Sequence, residues 1–385
     1  MDKLHICLRN VFGSSWLGGT LYIQNLARAV GSLPAKERDT IKLSVVVRSS
    51  NGSTVKDIAR YVDSIHIDSI HKLAFSEVCK KLAEIPFLPL GALNLRKFDF
   101  VYPEVAGVRA PYSWGGWIPD FQYRYLPQMF TQQQIDKFES FYGAVARNAP
   151  VVILSSKMAQ EDFRCFFPEA TSRSAVMSFI SYIEPGWFTF HPEEIQKKYG
   201  LPGRFFLVSN QFWKHKDHGT LIEALGILKQ RGVRPVVVCT GSVGEHAEDY
   251  YKKIISRIGE LGLNENVRIL GLIPRVDQIQ LMRRSLAVIQ PSLFEGWSTV
   301  VEDARSIGKP ILLSDFPVHL EQNPPLGQFF ERGNYGQLAS LMEEAFDMLS
   351  PGPDYDRETH AQKMNEEMLV TYGRRFVAIV RGVVK

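Results

Sequence analysis

Cysteine is scarce: four residues in 385, Cys7, Cys79, Cys165 and Cys239, stand far apart with no C-x-x-C pair. That spacing suggests neither a disulfide framework nor a zinc knuckle, and it fits a reducing, cytoplasmic setting. Long apolar runs are missing as well, since nothing approaches the roughly 18 consecutive apolar residues of a spanning helix. The opening MDKLHICLRN lacks the charge–apolar–cleavage order of a secretory leader and reads as a first strand. There is no Walker A sequence, no G-x-S-x-G, no H-E-x-x-H and no G-x-G-x-x-G. No acidic residue closes a second strand, where a nicotinamide enzyme would hold its ribose. The single D-x-D, Asp354-Tyr355-Asp356, lies in a Pro/Gly stretch rather than after a strand, so no metal site is assigned.

Charge of one sign is also in short supply. Forty-five Lys and Arg against 41 Asp and Glu leave +4, all of it on residues 1–190, which hold 21 basic and 17 acidic groups. Such an excess is compatible with docking on an anionic membrane face or holding an anionic acceptor, but a solvated surface is the simpler explanation. It is far too small to argue for nucleic acid.

What is present is alternation. In the first half, strand-like runs at Leu4–Arg9, Ile41–Arg48, Ser64–Asp68, Phe98–Pro103, Val151–Ser155 and Ala175–Ser181 are separated by amphipathic segments such as Leu21–Val30 and Thr131–Arg147. The second half repeats the plan with strands at Arg204–Ser209, Val236–Thr240, Val267–Gly271, Leu286–Gln290 and Pro310–Ser314. After Gly219, Leu221, Ile222, Leu225 and Leu228 fall on one helical face. This pattern specifies α/β architecture with parallel sheets covered on both sides by helices. We expect a domain over 1–185, a second over 186–358, and a terminal helix within 359–385 that crosses back to the first. Chemistry is then sought just after strands, facing the cleft between the domains.

Four stretches follow strands. FEGWSTVVEDARSIGKPILLSD, 294–315, places Glu295 and Gly296 in a loop before a helix that starts near Ser298 or Thr299. The first-turn N–H groups of that helix suit a phosphate, and carboxylates beside an anion site suit sugar hydroxyls. Thr299-Val300-Val301-Glu302 matches a capping box, which gives Glu302 a structural duty and favours Asp303 as the ligand contact. VSNQFWKHKDHGTLIEAL, 208–225, offers Lys214 and Lys216, one of which is placed to reach a diphosphate, while His215 and His218 read as loop and cap residues. NVFGSSWLGGTLYIQNLARAV, 10–30, carries Gly13, Gly18 and Gly19 between a strand and a helix, for phosphate approach or simply close packing. WGGWIPDFQYRYLP, 114–127, holds Asp120 in an aromatic loop, either facing a carbohydrate or closing a turn. The apolar run IPFLPLGALNL, 85–95, reads as a buried connection or a contact with lipid.

These stretches resemble the retaining GT-B glycosyltransferases of family 4, also called group 1, most strongly over 200–350. PSLFEGWSTVVEDARSIGKPILLSD is similar to that family's E-x7-E region, with Glu295 and Asp303 as the two acids. VSNQFWKHKDHGTLIEAL resembles its phosphate loop, and VRILGLIP its base-binding segment around Gly271–Pro274, including Ile273. The first half resembles the family more loosely, through Gly18-Gly19 and WIPDFQYRYLP. The resemblance implies two Rossmann-like doubly wound domains facing a cleft. The second domain would hold a nucleotide-diphospho-sugar, GDP-, UDP- or dTDP-linked, without metal or other cofactor. It assigns Glu295 to the transferring sugar and Asp303 to the ribose. Lys216, with the amides around Ser298, Thr299 and Val300, would meet the leaving diphosphate, joined by Asn210 and Ile273 in the donor site. The expected catalytic residues are Glu295, Lys216 and Asp120, with Gly18 and Gly19 counted among those that bind the donor.

Three departures accompany the resemblance: Asp303 for Glu, Asn210 or Gln211 for an Arg of the phosphate loop, and Tyr123 for a His. The expected activity is transfer of a hexose or deoxyhexose, with retention, to a glycan or lipid-linked acceptor in surface polysaccharide synthesis. It would take place in the cytoplasm, with peripheral contact at the inner membrane face. The competing readings are a non-catalytic nucleotide- or glycan-binding subunit and a sugar-nucleotide epimerase of the same fold.

Overall fold

The computed structural model describes residues 3–10, 17–48, 58–68, 97–105, 110–244 and 247–384. The apolar run 85–95, Gly13 and Cys79 lie outside the described residues. The chain divides into two compact units, residues 1–180 with 366–385 and residues 181–365. The divisions therefore fall at 180/181 and 365/366 rather than at 185/186 and 358/359. The last helix, Tyr355–Arg381, starts in one unit and ends in the other.

In the first unit the aliphatic runs form seven parallel strands: β1 (Leu4–Asn10), β2 (Ile41–Arg48), β3 (Ser64–Asp68), β4 (Phe100–Tyr102), β5 (Ser113–Ile118), β6 (Val151–Leu154) and β7 (Arg173–Val176), in the order β3-β2-β1-β4-β5-β6-β7. β1 is an interior strand, with Ile6 opposite Leu43 on one side and Phe100 on the other. β5 is absent from the sequence expectation because Ser-Trp-Gly-Gly-Trp-Ile reads as a loop. The two glycines are required by packing. A Cβ on Gly116 would stand 2.3 Å from Val145 Cγ1, on the helix Gln132–Asn148 that covers the sheet. That helix begins at Thr131, where a complete capping box with Gln134 closes its N-terminus.

The second unit has six parallel strands: β8 (Phe206–Ser209), β9 (Val237–Thr240), β10 (Val267–Gly271), β11 (Val288–Gln290), β12 (Ile311–Ser314) and β13 (Gly327–Phe330), in the order β10-β9-β8-β11-β12-β13. Leu221, Ile222, Leu225 and Leu228 of the helix His218–Gln230 are all buried, with Phe206, Val208 and Cys239 in the same core. The strand interiors are aliphatic, and their last residues turn polar or small: Ser209, Thr240, Gly271, Gln290 and Ser314. This row of hydrogen-bonding groups at the carboxyl edge is where an open parallel sheet takes a ligand. Each unit is thus an open parallel sheet with helices between its strands.

Candidate active site

Glu295 sits in the loop between β11 and the helix Thr299–Ser306, and only 8% of it is exposed. Its Oε1 accepts from Lys216 Nζ at 2.7 Å and from Gln290 Nε2 at 2.8 Å. Gln290 is fully buried, and its Oε1 in turn accepts from Asn210 Nδ2 at 2.9 Å. A relay thus runs from the end of β8 through the last residue of β11 to the carboxylate. Oε2 has no partner among the described residues. Burial alone would push the Glu295 carboxyl up, but the Lys216 charge overcomes this and holds it at about 2. The acid is therefore an ionised acceptor at neutral pH, with one oxygen fixed.

Lys216 closes a short turn, Lys214–Lys216, and is followed by Asp217, whose φ of 50° lies in the left-handed region. That kink lets Asp217 cap the helix His218–Gln230, accepting from Thr220 N, while Lys216 points at Glu295. Lys216, 18% exposed in its side chain, is thus the lysine of the pair that meets the acid. One Lys216 N–H is used on Glu295 and two remain. His215 and His218 are not ligand-like. Burial drives both to about 3, and His218 stacks on Phe212 at 4.3 Å.

The helix Thr299–Ser306 corrects two expectations. Its N-cap is Ser298, not Thr299, with Ser298 Oγ accepting from Val301 N. Glu302 does not complete a capping box. Its carboxylate accepts from Gln322 Nε2 at 2.9 Å, pairs with Arg305, and is pushed above its ordinary value by burial. The Ser298 amide is also taken, donating to Gln322 Oε1 at 3.2 Å, so it cannot join an anion site as it stands. The amides of Thr299 and Val300 have no partner among the described residues, and they are the two left to meet a ligand. Ile273 is half-buried and packs against the apolar core beside Leu270 and Phe329.

Asp303 differs most from expectation. It is 1% exposed and fully engaged: Oδ2 accepts from Arg275 Nη1 at 2.6 Å, Oδ1 from Arg275 Nη2 at 2.5 Å, and Oδ1 again from Ser181 Oγ. The local argument that Asp303 lacks a duty therefore fails, because its partner lies 28 residues away on another helix. Arg275 is the residue that sequence reasoning missed. Its position, first in the helix Arg275–Arg284 and directly after the segment Gly271–Pro274, was the available signal.

The remaining candidates lie in the first unit. Gly18 and Gly19 fall within the first turn of the helix Leu17–Gly31 rather than in a turn before it. Asp120 Oδ1 accepts from Gln122 N at 2.9 Å, the turn-closing role. Tyr123 is a core residue, 3% exposed and stacked on Phe138 at 5.2 Å, with its hydroxyl pushed to about 12 by burial. It offers no equivalent of a ligand-facing imidazole. Asp354 of the D-x-D caps the last helix, accepting from Arg357 N at 3.1 Å. Among the described residues, no helix is long and apolar enough to cross a membrane, and no three His, Cys, Asp or Glu side chains are grouped to hold a metal.

Residues 192–348 match the family model of glycosyl transferases group 1. The chain is 31% identical over 108 residues to the putative glycosyltransferase EpsF of Bacillus subtilis (strain 168); the match spans 27% of this chain and 26% of that protein. Among solved structures, it superposes on Anabaena Alr3699/HepE in complex with UDP and glucose with a TM-score of 0.67 at 17% identity, covering 98% of this chain and all of that one. Sucrose-phosphate synthase from Thermosynechococcus elongatus gives a TM-score of 0.69 at 14% identity, covering 99% of each chain. WaaG, a glycosyltransferase involved in lipopolysaccharide biosynthesis, gives 0.59 at 14%, covering 96% of this chain and 95% of that one. These structures bear on the fold, and the family model bears on the unit that carries Lys216, Glu295 and Asp303. The chain thus has the two-unit GT-B fold, and residues 192–348 of its second unit are similar to the glycosyl transferases group 1.

Proposed function

We propose that the protein is a retaining, metal-independent glycosyltransferase that moves a hexose or deoxyhexose from a nucleotide-diphospho-sugar to a glycan or lipid-linked acceptor. The observation that carries this reading is the Lys216–Glu295 pair, 2.7 Å apart at the carboxyl edge of a parallel sheet, four residues before the open amides of Thr299 and Val300. Glu295 Oε2 accepts from a hydroxyl of the donor sugar. The spare Lys216 N–H groups and the two amides meet the diphosphate, whose negative charge grows as the anomeric bond breaks. Each preorganised donor of this kind contributes on the order of 3 kcal/mol to the transition state. Front-face attack by the acceptor hydroxyl then gives retention through an oxocarbenium-like state. A place in surface polysaccharide synthesis, at the cytoplasmic membrane face, is consistent with the fold shared with WaaG, a glycosyltransferase involved in lipopolysaccharide biosynthesis, and with the basic excess of residues 1–190.

A thermal-shift panel of nucleoside diphosphates and their sugars tests the reading, beginning with uridine compounds because HepE was solved with UDP-glucose. A true ligand at 100 times its dissociation constant adds roughly 2.7 kcal/mol. Slow release of free sugar from the matching donor, abolished in Glu295→Ala, is expected; hydrolysis unchanged in that variant refutes the site. The alternative of a binding subunit without turnover is favoured by one observation: Asp303 and the Ser298 amide are both occupied by protein atoms. It predicts a stabilising nucleotide and no sugar release. Conversion of the donor to an epimer without acceptor would indicate an epimerase instead.

A further inference from the structure

We propose that Arg275, not Asp303, is the residue that contacts the nucleoside of the donor, and that Asp303 acts as the counter-ion that aims it. The assignment rests on the nucleotide-sugar reading above and goes beyond it by naming a binding residue and the kind of atom it recognises.

Asp303 has little left to offer a ligand. Three donors already converge on its two oxygens, and its side chain is 2% exposed. Arg275 is the exposed member of the pair, at 24%. Its guanidinium has five N–H groups. Nη1 uses two, on Asp303 Oδ2 and on Gln278 Oε1 at 3.3 Å, and Nη2 uses one, on Asp303 Oδ1. The Nε–H and the second Nη2–H have no partner among the described residues. A two-point contact with a buried carboxylate, backed by a glutamine that itself reaches Ser209 at the end of β8, fixes the plane of the fork. Such a group is preorganised to donate to an oxygen, and it cannot accept.

Placement selects which part of the ligand it meets. Asp303 lies four residues along the helix from Thr299, about 6 Å down the axis from the amides assigned to the diphosphate. The carboxylate that holds the guanidinium is thus anchored about one turn along the helix from those amides, and on the proposed assignment the fork meets the attached ribose and base rather than the phosphates. The ion pair as a whole is neutral, which suits an uncharged nucleoside better than a lone carboxylate or a lone cation would. The recognised atom is an oxygen acceptor, on the ribose or on a base carbonyl.

The test is a binding cycle on the full chain by calorimetry, using UDP, 2′-deoxy-UDP, GDP and dTDP with wild type, Arg275→Met, Arg275→Lys, Asp303→Asn and Arg275→Met/Asp303→Asn. Arg275→Met is expected to weaken the preferred diphosphate about tenfold or more, and Arg275→Lys, which keeps the charge and loses the fork, to recover only part of it. The double variant should bind no worse than Arg275→Met, because Asp303 acts only through Arg275. A loss confined to UDP places the contact on the ribose 2′-hydroxyl, and equal loss for UDP and 2′-deoxy-UDP places it on the base or on another oxygen of the ribose. Should Arg275→Met leave Asp303 too poorly accommodated to fold, Arg275→Lys and Asp303→Asn carry the comparison alone. Tenfold weakening in Asp303→Asn with none in Arg275→Lys overturns the assignment, as do losses that simply add in the double variant. A wild-type protein that binds none of the four overturns the donor reading itself, a result distinct from either.

Discussion

Lys216→Met is the most informative single change. In the native protein the Glu295 carboxyl, 8% exposed, is held at about 2 against an ordinary 4.5, so the ionised form is favoured by about 3 kcal/mol in the fold. The sign follows from linkage: a depressed carboxylate contributes stability that is complete above pH 4.5 and is lost as pH falls toward 2. Removing the ammonium reverses the balance. Burial then dominates and pushes the carboxyl above 4.5, and the Gln290 amide cannot replace a full charge 2.7 Å away. The variant should lose about 3 kcal/mol or more at neutral pH, the range for stripping one partner from a buried pair. It should then regain part of this as pH falls and the acid protonates. Urea titrations of both proteins at half-unit steps from pH 4 to 8 give the difference directly. Glu295→Gln added to Lys216→Met should recover much of the loss. A stability difference between wild type and Lys216→Met that is flat across this range refutes the coupling of the two groups.

Other perturbations follow from the same geometry. Gln290→Met keeps the volume but cuts the relay from Asn210 to Glu295; kcat for donor hydrolysis should fall more than tenfold with KM nearly unchanged, whereas a Gln290 that merely packs would give native kinetics. Gly116→Val drives a side chain into Val145 and should cost about 1–3 kcal/mol in denaturant titration, with Val145→Ala restoring part of it. Lys309, whose Nζ donates to Arg283 O at 3.0 Å, is lowered to about 7 mainly by burial. Because the unfolded chain keeps that proton up to about 10.5, stability should rise between pH 7 and 10. Lys309→Met should flatten the rise, and an unchanged slope would contradict it.

Local pattern exposed most of the framework. The strands at 41–48, 64–68 and 267–271 appear with the same limits, since aliphatic runs bounded by polar residues have one economical burial. β5 was hidden because its glycines serve the close approach of a helix, and β13 because Gly-Gln-Phe-Phe is a half-exposed edge strand with no alternation to read. Within the site, Lys216 and Glu295 were legible as chemistry, and their contact across 79 residues agrees with the placement of both after strands. The partners were not. Gln322 competes for the helix start, and Arg275 for Asp303, through tertiary contacts that periodicity cannot register. A capping motif in the text, Thr299 to Glu302, lost to Ser298 one position earlier and to a glutamine twenty residues on.

The terminal helix has a consequence for the order of synthesis. Residues 181–365 are contiguous, so that unit has its full complement of chain before residues 366–385 are made. The amino-terminal unit does not. Phe376, fully buried, closes on Tyr102 at 5.5 Å, and the backbone of Gly373 lies so close to Ala29 O that a Cβ would stand 2.5 Å from it. The amino-terminal unit therefore stays incomplete after residues 181–365 have been made, and its open core must be kept from aggregating until residues 366–385 leave the ribosome.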